Sequence, residues 1–153
     1  MSEPVGAGHE AARLIRKLGL SRHPEGGWYR ETVRVASAAG GRDQATAILF
    51  LLERGQRSHW HRVDATEIWF WHAGSGSRLA LGRADEGAQE ADWLTLGPDV
   101  LAGETVQAVI AAGQWQAAHA IHGWALVSCV VAPAFTFDGF ELAPPDWHPG
   151  RQD

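Results

Sequence analysis

The sequence predicts an all-β protein, an antiparallel sandwich or barrel, with one short helix before its first long strand. From Trp28 onward, apolar residues alternate with polar residues or form short unbroken runs, which is typical of strands. The 18 glycines and 7 prolines separate many of these runs as turns. Because the chain has 153 residues, of which 45% are hydrophobic, we expect a single domain over residues 1–153 with one core.

Helical spacing is confined to the region near the N-terminus. Ala11, Leu14, Ile15 and Leu18 recur at intervals that place them on one face of a helix. Gly19 follows at the position where helices commonly end in a left-handed residue. The spacing therefore predicts one amphipathic helix over residues 9–18.

Ten segments after this helix carry the strand pattern. They are residues 28–35, 45–53, 56–62, 66–72, 78–83, 91–96, 105–110, 115–119, 124–132 and 137–142. Small and turn-forming residues break the pattern at 37–43 and at 84–89, and neither break is long enough to divide domains. Residues 144–149 are rich in proline and are expected to lie over the surface.

The composition argues against several classes of partner. There are 13 basic and 18 acidic residues, a net charge of -5, and no cluster of Lys and Arg, so nucleic acid is not expected to bind. Every hydrophobic run is too short to span a bilayer, and the first residues lack a signal pattern. Cys129 is the single cysteine, has no intrachain disulfide partner and is expected to be a buried inert thiol. These features predict a cytoplasmic protein.

The most informative motif places two imidazoles and a carboxylate on neighbouring strands. His59 and His61 are two residues apart, and side chains alternate along a strand, so both are expected on the same face. Glu67 begins the next strand. If that face is the inside of a barrel, the three side chains converge in a pocket.

The order Gly55-x3-His59-x-His61-x5-Glu67-x6-Gly74 resembles the first conserved motif of the cupin superfamily, whose fold is a jelly roll or double-stranded β-helix. The gap from the histidines to Glu67 is one residue longer than usual in that motif. In the second cupin motif a histidine would be the fourth ligand, and Gln116 stands at that position here.

Further segments resemble one branch of the superfamily, the Cupin_5 (DUF985) family, whose members are often labelled predicted sugar epimerases. The segments are HPEGGWYRET (23–32), DATEIWFWHAG (64–74), LGPD (96–99), AGQWQ (112–116) and VAPAFTF (131–137). The resemblance runs over about residues 18–142 and implies a cupin jelly roll with a short N-terminal helix. It also implies a small-molecule ligand and a homodimer paired through its sheets.

The function that this resemblance favours is an isomerase or epimerase without a metal, acting on a sugar derivative or another polar metabolite. His61 would remove or deliver a proton, Glu67 would orient it, and Tyr29, the single tyrosine, would be the phenolic acid. Substrate binding is assigned to His59, Glu31, Trp69, Trp71 and Gln116, with Glu31 at the rim of the pocket.

Two alternative functions stay open at this point. His59, His61 and Glu67 suit a divalent metal, which would make the protein a metal-dependent oxygenase or isomerase. His119 could complete the ligand set only if a β-bulge brings it onto the face of Gln116. The second alternative is a noncatalytic protein that binds a small ligand in the same pocket. For His59 the structural interpretation is a hydrogen-bonded barrel histidine, and for Trp69 and Trp71 it is aromatic packing in the core.

Overall fold

The structure is a computed structural model, and it describes residues 7–82 and 91–149. It begins with helix α1 (Ala7–Leu18), which confirms the predicted helix. The helix ends as the sequence predicts, because Gly19 takes a left-handed φ of 65°. None of the helices in the described ranges has the length and apolar content of a transmembrane segment.

Eleven strands follow the helix within the described residues. They are β1 (Ser21–Arg22), β2 (Trp28–Val35), β3 (Ala45–Leu52), β4 (Arg57–Val63), β5 (Thr66–Gly74), β6 (Ser77–Gly82), β7 (Ala91–Leu96), β8 (Gln107–Ile110), β9 (Gln116–Ala120), β10 (Ala125–Ala132) and β11 (Phe140–Leu142). The predicted all-β class is confirmed.

The boundaries differ from the prediction at a few places. The two-residue strand β1 carries no alternating pattern and was not predicted. The predicted strand 137–142 divides into a 3-10 turn, Phe137–Gly139, and the short strand β11. Residue 83 of one predicted strand and the predicted loop 84–89 lie outside the described residues.

The strands form two antiparallel sheets. One has six strands in the order β1-β2-β3-β10-β5-β8, and the other has five in the order β11-β4-β9-β6-β7. Strands that are adjacent in a sheet are often distant in sequence, as β3 and β10 are. Consecutive strands β4 and β5 lie in different sheets, so residues close in sequence face one another across the interior.

The main hydrophobic core includes large side chains from both sheets. Phe50, Trp69 and Val127 come from the six-stranded sheet, and Leu79 and Leu96 come from the five-stranded sheet. A second, smaller cluster contains Val63, Ala65 and Val131. Burial of these apolar side chains is the main favourable contribution to folding. The buried polar side chains that accompany this apolar interior include Glu25, His61, Glu67 and Gln116.

Two β-bulges alter which side chains face the interior. In β4, Ser58 pairs with Ala118 and His61 pairs with Gln116, so three steps along β4 match two steps along β9. In β2, Glu31 pairs with Ile48 and the next paired residue is Val33, which leaves Thr32 as the extra residue. An extra residue reverses the alternation of side chains beyond it.

Candidate active site

A cavity of about 350 Å³ opens between the two sheets. Its polar lining comprises His23, Glu25, Tyr29, Glu31, Arg34, Thr46, His61, Glu67, Cys129 and Thr136. Its apolar lining comprises Ile48, Val63, Val131, Phe135 and Phe137. The cavity therefore combines an apolar wall with several ionisable side chains, and its volume is in the range of small-molecule sites.

His61 reaches this cavity because of the bulge in β4. Ser58 and His61 are both buried although they are three positions apart, whereas His59 and Trp60 between them are only half-buried. After the bulge the ordinary alternation resumes, and Val63 faces inward as well. The bulge thus carries His61 into the interior and turns the side chain of His59 away.

Both ring nitrogens of His61 have oxygen partners. Nδ1 lies 2.7 Å from the carbonyl oxygen of His59, and Nε2 lies 2.7 Å from Oε2 of Glu25. A carbonyl oxygen can only accept, so Nδ1 carries a proton and donates it. Burial opposes a charge on the ring, but the Glu25 carboxylate, with smaller contributions from Glu67 and the carbonyl oxygen of His59, raises the pKa of His61 to about 9. His61 is therefore an imidazolium at neutral pH.

Glu25 is held beside His61 by the loop that precedes β2. Its carbonyl oxygen accepts a hydrogen bond of 2.7 Å from the backbone N–H of His59. The next residue, Gly26, has φ of 104°, and a Cβ there would collide with the carbonyl oxygen of Arg57. Burial raises the pKa of Glu25, but the charge and hydrogen bond of His61 outweigh it and leave that pKa below its usual value. Glu25 and His61 thus form a buried ion pair.

Glu67 lies at the start of β5 and lines the same cavity. Burial, with a smaller contribution from the charge of Glu25, raises the pKa of Glu67 to about 7, although His61 acts in the opposite direction. Gln116 donates from Nε2 to Oε2 of Glu67 at 3.2 Å, and the thiol of Cys129 also hydrogen-bonds to the carboxyl group. Glu67 therefore changes its charge near neutral pH.

His23 stands beside the ion pair in a different protonation state. The backbone N–H of Glu25 donates to its Nδ1 at 3.2 Å, so that nitrogen is an unprotonated acceptor. Its ring packs edge-on against Tyr29, with 4.6 Å between the ring centroids. Burial lowers the pKa of His23, and the charge of Glu25 only partly offsets this. His23 is a neutral imidazole.

The rim of the cavity carries an exposed ion-pair network. Arg34 donates to Glu31 at 2.8 Å and to Asp43 at 3.2 Å. The bulge at Thr32 places Arg34 opposite Thr46 and on the same face as Tyr29 and Glu31. The guanidinium is partly exposed, so its ion pairs contribute little to stability, but they fix its position at the mouth.

The structure brings together four of the side chains that the sequence assigns to the pocket. His61, Glu67, Tyr29 and Glu31 all line the cavity. His59 does not, which corrects the expected position of its imidazole. Its Nε2 lies 2.9 Å from the carbonyl oxygen of Pro144, and its ring lines a groove on the outer side of the five-stranded sheet. The expectation failed because the extra residue in β4 breaks the alternation on which it depended.

The remaining three assigned side chains lie behind the cavity lining or beside it. Trp69 is buried in the core and donates from Nε1 to Oε1 of Gln116 at 3.0 Å. Gln116 in turn supports Glu67. Trp71 packs against the core and donates to the carbonyl oxygen of Ser75 at 3.0 Å. Trp69 and Gln116 thus support Glu67, and none of these three side chains lines the cavity.

The residues present do not fit the metal site considered from the sequence. His59 is absent from the cavity, and both nitrogens of His61 are already engaged. Gln116 turns its amide oxygen toward Trp69 and offers Glu67 an N–H, which cannot coordinate a cation. His119 lies on the outer groove beside Trp93. In residues 7–82 and 91–149, no three His, Cys, Asp or Glu side chains are arranged to hold a metal ion.

Sequence reasoning missed four ionisable residues that line the cavity. Glu25 and His23 occur in the segment that carried the family resemblance, but nothing local links them to His61. The Gly26-Gly27 pair was a usable signal, because two adjacent glycines mark a backbone that must bend closely past another strand. Arg34 depends on the bulge in β2, and Cys129 was assigned only a structural role.

A protein-family model described as "Cupin superfamily (DUF985)", Cupin_5, matches residues 12–143. The chain belongs to the Cupin_5 family. This membership, together with the two antiparallel sheets, confirms the cupin jelly roll predicted from the sequence. No curated protein matches the chain.

Solved structures extend the comparison. A protein from Shewanella oneidensis shares 37% identity with this cupin at a TM-score of 0.79, with 87% of this chain and 84% of that chain covered. A hypothetical protein from Leishmania major shares 31% identity at a TM-score of 0.75, with 86% and 85% covered. Oxalate decarboxylase from Bacillus subtilis shares 17% identity at a TM-score of 0.60, with 79% of this chain and 29% of that chain covered, which shows the fold alone.

Proposed function

We propose that this cupin is a proton-transfer isomerase or epimerase that acts on a small carbonyl compound, such as a sugar derivative, within the cavity. The observation that carries the proposal is the environment of Glu67. A carboxyl group with a pKa of about 7 lines the cavity beside the His61 imidazolium, whose own pKa is about 9. A general base works best when its pKa lies near the operating pH.

The proposed chemistry begins with removal of a proton from the carbon next to the carbonyl group. Ionised Glu67 takes that proton, the C–H electron pair forms a C=C bond, and the carbonyl π pair moves onto oxygen. Return of a proton to the same carbon from the other face gives an epimer. Return to the former carbonyl carbon gives an isomer when its oxygen gains a proton and the hydroxyl group on the adjacent carbon loses one to become the new carbonyl group. No oxidant or reductant is required.

His61 has a different role in this proposal from the one that the sequence favours. Its Nδ1–H is bonded to His59 and its Nε2–H is bonded to Glu25, so neither nitrogen is available to remove a proton. The imidazolium instead supplies a fixed positive charge beside Glu67, which stabilises the negative charge that develops during the reaction. The ion pair with Glu25 keeps this charge in place.

Tyr29 is the proposed acid on the other side of the substrate. Its phenol lines the cavity from β2, on the sheet that also carries Glu67 in β5. A hydroxyl group there can return a proton to carbon or oxygen. The apolar wall formed by Ile48, Val131 and Phe135 excludes water from the intermediate.

Exchange of substrate hydrogen with solvent tests this proposal on a panel of candidate carbonyl compounds. Ketoses, aldoses and 2-oxo acids are incubated with the protein in D₂O, and deuterium at the carbon next to the carbonyl is followed by NMR. We expect exchange with at least one compound, and a loss of about 10²-fold or more in Glu67→Gln. Glu141→Gln, the same change at an exposed residue paired with Arg62, serves as the control and should retain full exchange.

Two outcomes would count against the proposal. Full exchange by Glu67→Gln would reject Glu67 as the base. A compound that binds the native protein, is released unchanged and shows no exchange would favour the noncatalytic ligand-binding function over the enzyme.

A further inference from the structure

The side chain of His23 is a cavity-lining group that the chemistry above does not use. It extends from the loop between β1 and β2, and only 5% of the side chain is exposed. Histidines buried in this way normally have both ring nitrogens hydrogen-bonded. The partners of its two nitrogens therefore show what the ring can offer to a ligand.

The backbone fixes the tautomer of His23. The N–H of Glu25 can only donate, and it donates to Nδ1 of His23 at 3.2 Å. In the neutral imidazole the proton must then be on Nε2. Oε1 of Glu25 lies 3.7 Å from the same Nδ1, too far for a hydrogen bond. The Nε2–H makes no hydrogen bond to any residue of the described ranges, although the ring lines the cavity.

The surroundings of His23 favour a hydrogen bond from this group to a ligand. The ring contacts Tyr29, Phe50, Phe135 and Phe140, with centroid separations of 4.6 to 6.4 Å, so its setting is mostly aromatic. Water competes poorly for a donor in such a setting, which strengthens a hydrogen bond to an oxygen atom that enters. Because the ring is neutral, its burial carries no cost of an unpaired charge.

The N–H groups of His61 and Arg34, which also line the cavity, already bind oxygen atoms of the protein. Both N–H groups of His61 bind Glu25 and the carbonyl oxygen of His59. The guanidinium of Arg34 binds Glu31, Asp43 and the carbonyl oxygen of Phe135. Tyr29 has a hydroxyl group, but the proposed reaction uses it to return a proton. Among the ring N–H groups that line the cavity, that of His23 is thus free to hold an oxygen atom throughout the reaction.

We infer that His23 is a catalytic residue whose Nε2–H donates a hydrogen bond to the carbonyl oxygen of the substrate. The inference rests on the proposed function. As Glu67 removes the proton from the adjacent carbon, the electron pair of the carbonyl π bond moves onto this oxygen, and the hydrogen bond from His23 strengthens. The proton of His23 stays on nitrogen, so the step leaves the imidazole unchanged.

The tautomer can be measured on the native protein. Long-range ¹H–¹⁵N spectra of protein labelled with ¹⁵N-histidine should show one ring as the neutral Nε2–H form between pH 6 and pH 8, and that signal should vanish in His23→Gln. A doubly protonated form, or an Nδ1–H form, of the ring whose signal vanishes in His23→Gln would overturn the inference. This measurement needs no substrate.

The hydrogen bond can be tested with acetophenone that carries ¹³C at its carbonyl carbon. This probe combines an apolar ring with one carbonyl acceptor. We expect it to bind with its carbonyl signal moved downfield, and to bind about tenfold more weakly to His23→Phe, as expected for one neutral hydrogen bond. His23→Phe should lack the downfield shift, whereas His23→Gln, which retains an N–H donor, should recover part of it.

Glu67→Gln separates this inference from the proposed function. It should bind acetophenone with the native carbonyl shift while losing solvent exchange of the hydrogens on the adjacent carbon. If Glu67→Gln and the native protein exchange these hydrogens with solvent equally, Glu67 is not the base. The carbonyl shift then still decides whether His23 binds the oxygen. An identical carbonyl shift in the native protein and His23→Phe, or no binding of acetophenone to the native protein, would overturn the inference.

Discussion

Nε2 of His61 lies 2.7 Å from Oε2 of Glu25, and these side chains are only 2% and 7% exposed. The contact joins the loop before β2 to the middle of β4, so a charged pair connects two segments that are distant in sequence. Each charge depends on the other, because neither is exposed enough to be well hydrated. The pair therefore determines both the stability of the site and the charge inside it.

Removal of either partner of this pair should destabilise the protein strongly. His61→Gln leaves the Glu25 carboxylate buried without its counter-charge, and Glu25→Gln leaves the imidazolium in the same position. We expect each variant to lose about 3 to 5 kcal/mol in the free energy of unfolding, measured with urea at pH 7. The double variant should lose much less than the sum, because no charge is then unpaired. Additive losses would contradict the ion pair.

The charge of Glu67 should make stability depend on pH in a defined direction. Its pKa is about 7 in the folded protein against an ordinary value of 4.5. A raised pKa means that the protonated form is favoured by folding, so this contribution is complete below pH 4.5 and is lost as the pH rises through 7. At about 1.4 kcal/mol for each pKa unit, the loss is about 3 kcal/mol.

Glu67→Gln removes that titration. The free energy of unfolding of the variant, relative to that of the native protein, should therefore rise by about 3 kcal/mol between pH 5 and pH 8. Urea unfolding at a series of pH values gives the free energy of unfolding against pH for the native protein and for the variant. Glu141→Gln, at an exposed site, should stay parallel to the native protein across this range. A native curve parallel to that of Glu67→Gln would show that Glu67 does not titrate there.

The sequence predicts the strands well because their signal is local. Alternating and unbroken apolar runs predict the longer segments that form both sheets, and the order of family segments predicts the jelly roll. The position of His59 could not be predicted in the same way. Its orientation depends on one extra residue in β4, and a bulge has no fixed sequence pattern. A single shift in alternation therefore separated His59 from His61.

Glu25 illustrates a second limit of the sequence. Its role depends on contact with a strand far along the chain, and a single sequence does not record which distant residues meet. The same holds for His23, whose tautomer is set by the backbone of Glu25. In contrast, Glu67 could be predicted, because a carboxylate within an apolar strand must find a buried partner.

Gly26 should be essential for the placement of Glu25. Its φ of 104° is unfavourable for other residues, and a Cβ there would collide with the backbone carbonyl oxygen of Arg57. We expect Gly26→Ala to lower the unfolding midpoint temperature strongly and to displace Glu25 from His61, so that the His61 imidazolium titrates below its native pKa of about 9. Calorimetry and histidine NMR measure the two effects.

Gly40→Ala provides the matched control. Gly40 also has a positive φ, 78°, but a Cβ there would meet nothing within 4 Å. This variant should lose only about 1 kcal/mol in the free energy of unfolding, because of the backbone conformation. The pKa of His61 should stay unchanged. Equal effects in the two variants would mean that the close approach to Arg57 is unimportant.

Gln116 links the core to the base, and its replacement should raise the pKa of Glu67 further. The amide donates to Oε2 of Glu67 at 3.2 Å and accepts from Nε1 of Trp69 at 3.0 Å. Gln116→Met has a similar volume but can make neither bond. The Trp69 N–H then loses its acceptor, and the ionised carboxyl group loses a donor that favours its charged form. We expect a loss of about 2 to 4 kcal/mol in the free energy of unfolding.

The carboxyl ¹³C signal of Glu67, followed by NMR against pH, should show a midpoint above 7 in Gln116→Met, because burial continues to disfavour the charge while the amide no longer opposes it. Gln107→Met makes the same substitution at an exposed residue of β8 and should leave the midpoint unchanged. A midpoint that stays at its native value, or moves to lower pH, would show that the amide does not stabilise the ionised carboxyl group. Since the base must be ionised to accept a proton, the same variant should also shift the pH at which solvent exchange begins to a higher value.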